Sequence, residues 1–113
     1  MNIKLGKRYL LNDVKVVALA YNIENGVLMV KETDGNLIFV LGNFTVDDDK
    51  LIVKNTTSFT VTDSKMLDCI NSYLTENNTE KITTSIIVTA IRNTYYKIPT
   101  RIAEVIAEWY IRL

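Results

Sequence analysis

The residues best suited to chemistry in this chain of 113 residues are cations and aromatic rings gathered around its single proline. Guanidinium groups form paired hydrogen bonds with phosphates and carboxylates, and aromatic rings stack on bases. The combination predicts a site for a small nucleotide-like ligand or for an acidic surface of another protein. A polar corner between two helices, with tyrosines packed half buried, is the alternative. The candidate residues around Pro99 are Arg92, Asn93, Tyr95, Tyr96, Lys97 and Arg101.

Most catalytic chemistries are excluded by what the sequence lacks. Histidine is absent and Cys69 is the single cysteine, so imidazole-dependent dyads, triads and metal sites cannot form. A zinc site built from several cysteines of one chain is excluded as well. Cys69 follows Asp68, whose charge disfavours a thiolate, and we expect it to be a half-buried core residue. No nucleophile motif or phosphate-binding glycine loop is present, so we expect no enzymatic activity, cofactor or metal.

Two groups of carboxylates remain as candidates for acid–base chemistry. The consecutive Asp47, Asp48 and Asp49 do not match a calcium-binding loop and are typical of a polar hairpin loop. Glu104 and Glu108 lie one helical turn apart, a spacing at which two carboxylates can serve hydrolysis. The simpler interpretation of the two glutamates is a solvated helix face, and this is the one that we expect.

The elements that must position these residues change in character at residue 62. Residues 1–62 predict about seven short antiparallel strands joined by tight turns. The pairs Asn25-Gly26 and Asp34-Gly35 favour type I′ hairpins, in which both central residues have positive φ, and a weaker turn is expected at residues 12–13. Further breaks are expected at residues 42–43 and 55–57. The expected strands are residues 9–11, 14–23, 27–32, 37–40, 44–46, 51–53 and 59–61. Because the connections are short, strands that follow each other in sequence should be neighbours in the sheet.

After residue 62 the apolar period becomes that of helices. Asp63 or Ser64 can cap the first helix, and Thr79 can cap a second one that continues to Tyr95. The β-branched run at residues 82–91 leaves a strand there as the alternative. A third helix is expected at residues 100–112, directly after the proline. Its apolar stripe is Ile102, Val105, Ile106, Trp109, Tyr110 and Leu113.

The predicted fold class is α+β: an antiparallel β-meander or small SH3-like barrel over residues 1–62, followed by two or three C-terminal helices over residues 63–113, in one compact domain. The segments KLGKRY (4–9), NDVKVV (12–17), NGVLMV (25–30) and DGNLI (34–38) resemble small SH3-like barrels. The whole layout is similar to that of small phage accessory proteins, among them anti-defence proteins that sequester cyclic-nucleotide signals within oligomers. The resemblance implies a phage- or mobile-element-encoded binding protein or inhibitor, without assigning any functional residue.

The charges of the chain balance, with 13 Lys and Arg residues against 13 Asp and Glu residues. A nucleic-acid binder normally carries a basic face, so nucleic acid is not the expected partner, and a transcription accessory module is kept as an alternative. Zero net charge permits self-association, and we expect a homo-oligomer formed through the C-terminal helices. A structural subunit of an oligomeric assembly is the other alternative for the function. No membrane-spanning run or secretory signal is apparent, which predicts a cytoplasmic protein.

Overall fold

The computed structural model describes residues 3–113, with the side chains of all of these except residues 59 and 60. Five strands precede three helices, and the strands form a closed barrel in the order β1-β2-β3-β4-β5. The predicted α+β class, an SH3-like barrel followed by helices, is therefore confirmed. The elements are β1 Arg8–Leu11, β2 Val14–Asn22, β3 Val27–Glu32, β4 Asn36–Asp47, β5 Lys50–Thr62, α1 Asp63–Glu76, α2 Thr84–Thr94 and α3 Thr100–Ile111.

Each strand pairs in antiparallel fashion with the strand that follows it in sequence. This confirms the expectation that short connections keep sequence neighbours together in the sheet. The barrel closes through a short parallel pairing between β1 and β5, at Leu10 with Lys50 and Leu11 with Leu51. The sheet is thus mixed, because its first and last strands meet in the same direction.

The prediction of seven strands is wrong, because β4 and β5 each unite two of them. The expected break at residues 42–43 is an irregularity of the bulge type within β4: Gly42 has a φ of +79°, and the register with β5 shifts between Leu41 and Phe44. A bulge bends a strand and leaves it continuous. The expected break at residues 55–57 is also wrong, because Asn55 pairs with Leu41 and the next two residues continue this ladder.

The turns lie where the sequence predicts them, but the type I′ assignment is wrong at the two glycine pairs. Only the glycines, Gly26 and Gly35, have positive φ there, at 65° and 91°. Two consecutive left-handed residues occur instead at residues 12–13, where the sequence signal for a turn was weaker. Asn12 has a φ of 50° and Asp13 a φ of 66°. Aspartate and asparagine tolerate this conformation, so an Asn-Asp pair can form the tightest turn.

Threonines cap the first two helices. The Thr62 Oγ1 atom accepts a hydrogen bond from the Lys65 amide at 3.2 Å, so the expected cap at Asp63 or Ser64 is one or two residues too late. The Thr83 Oγ1 atom accepts from the Ile86 amide at the same distance, and α2 begins at Thr84.

The expected start of the second helix at Thr79 is therefore wrong. The cap is Thr83, four residues after Thr79, whose hydroxyl accepts from the otherwise unbonded Ile86 amide, so the helix begins there instead. Residues 84–91 are helical, which removes the strand alternative for that part of the run. α3 begins directly after Pro99, whose extended backbone ends the preceding loop, and it stops one residue before the predicted end.

Strand β3 is buried on both faces and separates two apolar clusters. Leu28 and Val30 contact the barrel interior, whereas Val27 and Met29 belong to the layer between barrel and helices. All four side chains are fully buried. The helical layer completes the second cluster, with α3 packed on β2 and β3. The predicted stripe of α3 is buried at Ile102, Val105, Ile106 and Trp109 and half buried at Tyr110, but Leu113 is exposed, contrary to expectation.

We expect Trp109→Ala to lower the free energy of unfolding by about 3–5 kcal/mol, because it removes a large side chain from the helical layer. Trp109 is only 6% exposed. Urea denaturation followed by circular dichroism measures the change. Ile111→Ala, on the same helix but 48% exposed, is the matched control and should move the midpoint little. Equal midpoints for the two variants would contradict the placement of Trp109.

Candidate functional site

The candidate residues of the sequence lie at the junction between α2 and α3, which we call the α2–α3 corner (residues 92–101). α2 ends when the Tyr95 amide donates to the Ile91 carbonyl at 2.8 Å, and a tight turn follows, in which the Ile98 amide donates to the Tyr95 carbonyl at 3.0 Å. The Ile98 side chain is buried and anchors the loop in the helical layer. Pro99 then leads into α3. The corner is thus a short, anchored loop between two packed helices.

The outer surface of the corner carries Arg92, Tyr96 and Lys97. The Arg92 Nη1 atom donates a hydrogen bond to the Thr100 Oγ1 atom at 3.1 Å, which links the end of α2 to the start of α3. Tyr96 is 71% exposed, and the Lys97 Nζ atom lies 5.8 Å from the centroid of its ring. This distance is within the range of a cation–π contact. The corner therefore exposes an aromatic ring with one cation near it and a second cation in the same segment.

The other predicted site residues have different surroundings. Tyr95 is half buried against the helical layer, as the packing alternative expected. Burial raises the pKa of the Tyr95 hydroxyl above its ordinary value, and the nearby Cys69 adds to the rise. Asn93 lies beside a groove between α1 and α2 that also contains Cys69 and Tyr73. The structure therefore does not bring all the candidate residues to one surface.

Arg101 lines a separate depression of about 440 Å³ between the start of α3 and the β4–β5 hairpin. Asn55 pairs with Leu41 and Thr57 with Phe39, and paired residues share one face of a sheet. Phe39 and Leu41 contact the helical layer, so Asn55 and Thr57 lie on the face that α3 approaches. The lining is polar and contains no carboxylate: Leu41, Gly42, Asn55, Thr56, Thr57 and Arg101.

The cations of this region are not neutralised by neighbouring carboxylates. Over residues 3–113, the one ion pair joins Lys31 to Asp63 at 3.0 Å. Arg92, Lys97 and Arg101 therefore have no ion-pair partner in the described part of the chain, and all three side chains are exposed. Residues 92–101 thus carry three cations and no carboxylate on a protein whose net charge is zero.

The expectation of a solvated face for Glu104 and Glu108 is wrong. The Asn25 Nδ2 atom donates to Glu104 Oε2 at 2.6 Å, and the Asn22 Nδ2 atom donates to Glu108 Oε1 at 2.7 Å. The Asn22 Oδ1 atom in turn accepts from the Asn25 amide at 2.9 Å. Both glutamates are half buried and hold the β2–β3 loop on α3. Sequence reasoning missed both asparagines, because Asn25 had only the signal of a turn and Asn22 lay within the expected strand 14–23.

The remaining chemistry-bearing groups do not converge. No three carboxylate or thiol groups of the described residues are placed to hold a metal ion. Asp48 and Asp49 form the exposed tip of the β4–β5 hairpin. The Cys69 Sγ atom is half buried and lies 3.8 Å from the Ala90 carbonyl oxygen. Among the described helices, none has the length and hydropathy needed to cross a bilayer.

Two further surface features bear on binding. The loop of the corner forms a shallow depression of about 210 Å³, lined by residues 94–98. An apolar groove of about 440 Å³ lies between α1 and the end of α3. The Tyr110 hydroxyl donates to the Asn71 side chain within this groove. Its lining carries no charged side chain and consists of Leu67, Asn71, Ile82, Tyr110, Ile111 and Leu113.

The fold defines the class of this protein as a small closed β-barrel covered by three helices. The chain matches no protein-family model, no curated protein and no solved structure.

We expect Glu108→Ala to lower the free energy of unfolding by about 1–3 kcal/mol, because the Asn22 amide loses its acceptor. Asn22 is only 9% exposed, so water replaces the lost bond poorly. Chemical denaturation measures the change. Glu108→Gln keeps an acceptor oxygen and should recover most of the loss, and Arg112→Ala, at an exposed position of the same helix end, is the control. If Glu108→Ala and Arg112→Ala unfold alike, the hydrogen bond does not stabilise the fold.

Proposed function

We propose that this chain is a non-enzymatic binding protein that occludes an acidic surface of a host protein through the α2–α3 corner. The observation that carries the proposal is Tyr96, a large aromatic side chain that is 71% exposed, with Lys97 near its ring and an exposed Arg92 in the same segment. In keeping with the phage anti-defence proteins that the layout resembles, we propose a phage- or mobile-element-encoded inhibitor that acts in the cytoplasm.

The chemistry of the corner supports recognition of a protein surface. Tyrosine and arginine dominate the binding energy of many interfaces, because each buries a large area and can also form a hydrogen bond. The loop is anchored by Ile98 and by the bond from Arg92 to Thr100, so little ordering is needed on binding. Unpaired cations attract an acidic partner during encounter and disfavour a basic one.

The size of the depression favours a protein partner over a sequestered small ligand. Pockets that enclose a ligand usually have volumes of about 300–1,000 Å³, whereas the depression beside Tyr96, at residues 94–98, offers about 210 Å³ open to solvent. A nucleotide bound there would keep most of its surface in water. Sequestration of a small anion would therefore require a second copy of the chain to close the site.

We expect a capped peptide of alternating glutamate and proline to bind at the corner, because its charge is attracted to the unpaired cations. Amide NMR titration should show the largest shift changes within residues 92–101. The double variant Tyr96→Ala/Lys97→Glu should bind about tenfold more weakly. Lys15→Glu and Ile23→Ala, which change an exposed cation and an exposed apolar residue of the barrel, are matched controls. Equal shifts around Lys15 and at the corner would contradict the proposal.

A structural subunit role is the second candidate function, and the apolar groove beside α3 favours it. Ile82, Ile111 and Leu113 are exposed in a groove without charged lining, on a protein without net charge. Such a surface is suited to contact between copies through the C-terminal helices.

If the groove is a contact between copies, Ile111→Lys should convert an oligomer to a monomer, because it places a charge in the apolar contact. Sedimentation velocity over a range of concentrations measures this. Ile23→Lys, at an exposed position of the β2–β3 loop, is the control and should leave the oligomer intact. A wild-type protein that stays monomeric at its highest soluble concentration would exclude the structural role.

A further inference from the structure

Strand β5 is paired along only one edge for most of its length. β4 accompanies it from Lys50 to Thr62, whereas β1 covers the other edge only at Lys50 and Leu51. Within residues 3–113, no strand pairs with β5 beyond Leu51 on that side. We call the uncovered part the β5 free edge, at residues 52–58. An uncovered edge presents unpaired N–H and C=O groups that can accept another strand.

The direction of the backbone groups at this edge follows from the ladder. The Gly42 amide donates to the Gly26 carbonyl at 3.0 Å. The backbone N–H and C=O groups of Gly42 and of the alternate residues before it in β4 therefore point towards β3. Phe39 and Leu41 must then point towards β5, where they pair with Thr57 and Asn55. The backbone groups of the alternate residues of β5 point away from β4, towards the uncovered edge.

The N–H and C=O groups of Thr56 and Ser58 therefore face the free edge. Both residues are exposed.

The charged residues of β5 are of one sign. The sequence of β5 contains Lys50 and Lys54 and no acidic residue. On the face of the sheet that α3 approaches, Arg101 lies beside Asn55 and Thr57. The side chains of these three residues make no hydrogen bond or ion pair with other described residues.

We propose that an extended acidic segment of the partner protein adds to the β5 free edge as a further strand. Its backbone would pair with Thr56 and Ser58, and a carboxylate on the α3 side would reach Arg101. Such strand addition takes its affinity from main-chain hydrogen bonds and its specificity from alternate side chains. The inference rests on the proposed function and names the form in which the acidic partner is recognised.

Charge also argues against a second copy of the chain as the added strand. Two β5 free edges side by side would bring Lys54 of both copies into one sheet, with no acidic residue of either strand to neutralise them. Like charges on neighbouring strands destabilise their pairing. An acidic strand of another protein would instead place carboxylates near Lys54 of β5 and neutralise its charge.

The test compares two capped probes of equal charge: a peptide of alternating threonine and glutamate, and the peptide of alternating glutamate and proline. Only the first can form a ladder, because proline lacks the N–H group. We expect it to bind the wild-type protein about tenfold more tightly, because it adds main-chain hydrogen bonds. It should also slow amide hydrogen exchange at residues 56 and 58, a readout that needs no variant.

Thr56→Pro is the sharpest variant, because it removes an amide that faces the free edge and leaves the ladder with β4 intact. It should bring the affinity for the threonine–glutamate peptide down to that for the glutamate–proline peptide. Thr56→Ala is the control and should keep the full affinity. Arg101→Glu is a second variant that leaves the edge amides in place, and it should weaken binding about tenfold, whereas Arg112→Glu should not.

The possible outcomes separate the two proposals. If both peptides bind the wild-type protein equally, and hydrogen exchange at residues 56 and 58 is unchanged, strand addition is refuted while binding at the corner stands. If neither peptide binds, both proposals fail. If Thr56→Pro and Thr56→Ala bind the threonine–glutamate peptide alike, the edge is not the docking site. NMR contacts between β5 strands of two copies in a mixed-isotope sample would overturn the assignment of the edge to a partner.

Discussion

The architecture depends on one strand that is buried on both of its faces. Leu28 and Val30 pack in the barrel interior, and Val27 and Met29 belong to the apolar surface on which the helices pack. Because β3 serves both clusters, as β4 also does through Phe39 and Val40, the barrel and the helical layer cannot be separated without exposing apolar surface on these strands. The anchored residue Ile98 belongs to the same helical layer, so the α2–α3 corner is fixed relative to the barrel.

The sequence was most informative where a local pattern decides the structure. The 3.6-residue period of α3 correctly predicted the burial of Ile102, Ile106 and Trp109. It failed for Glu104 and Glu108, because half-burial on the polar side of the helix depends on a loop that is distant in sequence. The break predicted at Gly42 failed for a related reason: a left-handed glycine permits either a turn or a bulge, and only the pairing of β4 with β5 decides between them.

The residues of the candidate site also divide into those whose grouping the local sequence predicts and those whose surroundings depend on distant contacts. Arg92, Tyr96 and Lys97 lie in one short segment, so their grouping was visible in the sequence, and their exposure follows from the position of the loop. The environment of Arg101 was not visible, because Asn55 and Thr57 come from a strand whose register depends on the bulge. Arg101 thus connects the two surfaces considered for binding: it belongs to the corner by sequence and to the edge of the barrel by contact.

The bulge at Gly42 also determines where this chain tolerates changes in length. Leu41 and Phe44 are separated by three steps along β4, whereas their partners Asn55 and Val53 are separated by two. Deleting one residue between Leu41 and Phe44 would turn the following side chains of β4 to the opposite face and take Phe44 out of the barrel interior. An insertion at the exposed hairpin tip would change no register. Homologues, when found, should therefore vary in length at the tips of the hairpins and keep a constant spacing through the middle of β4.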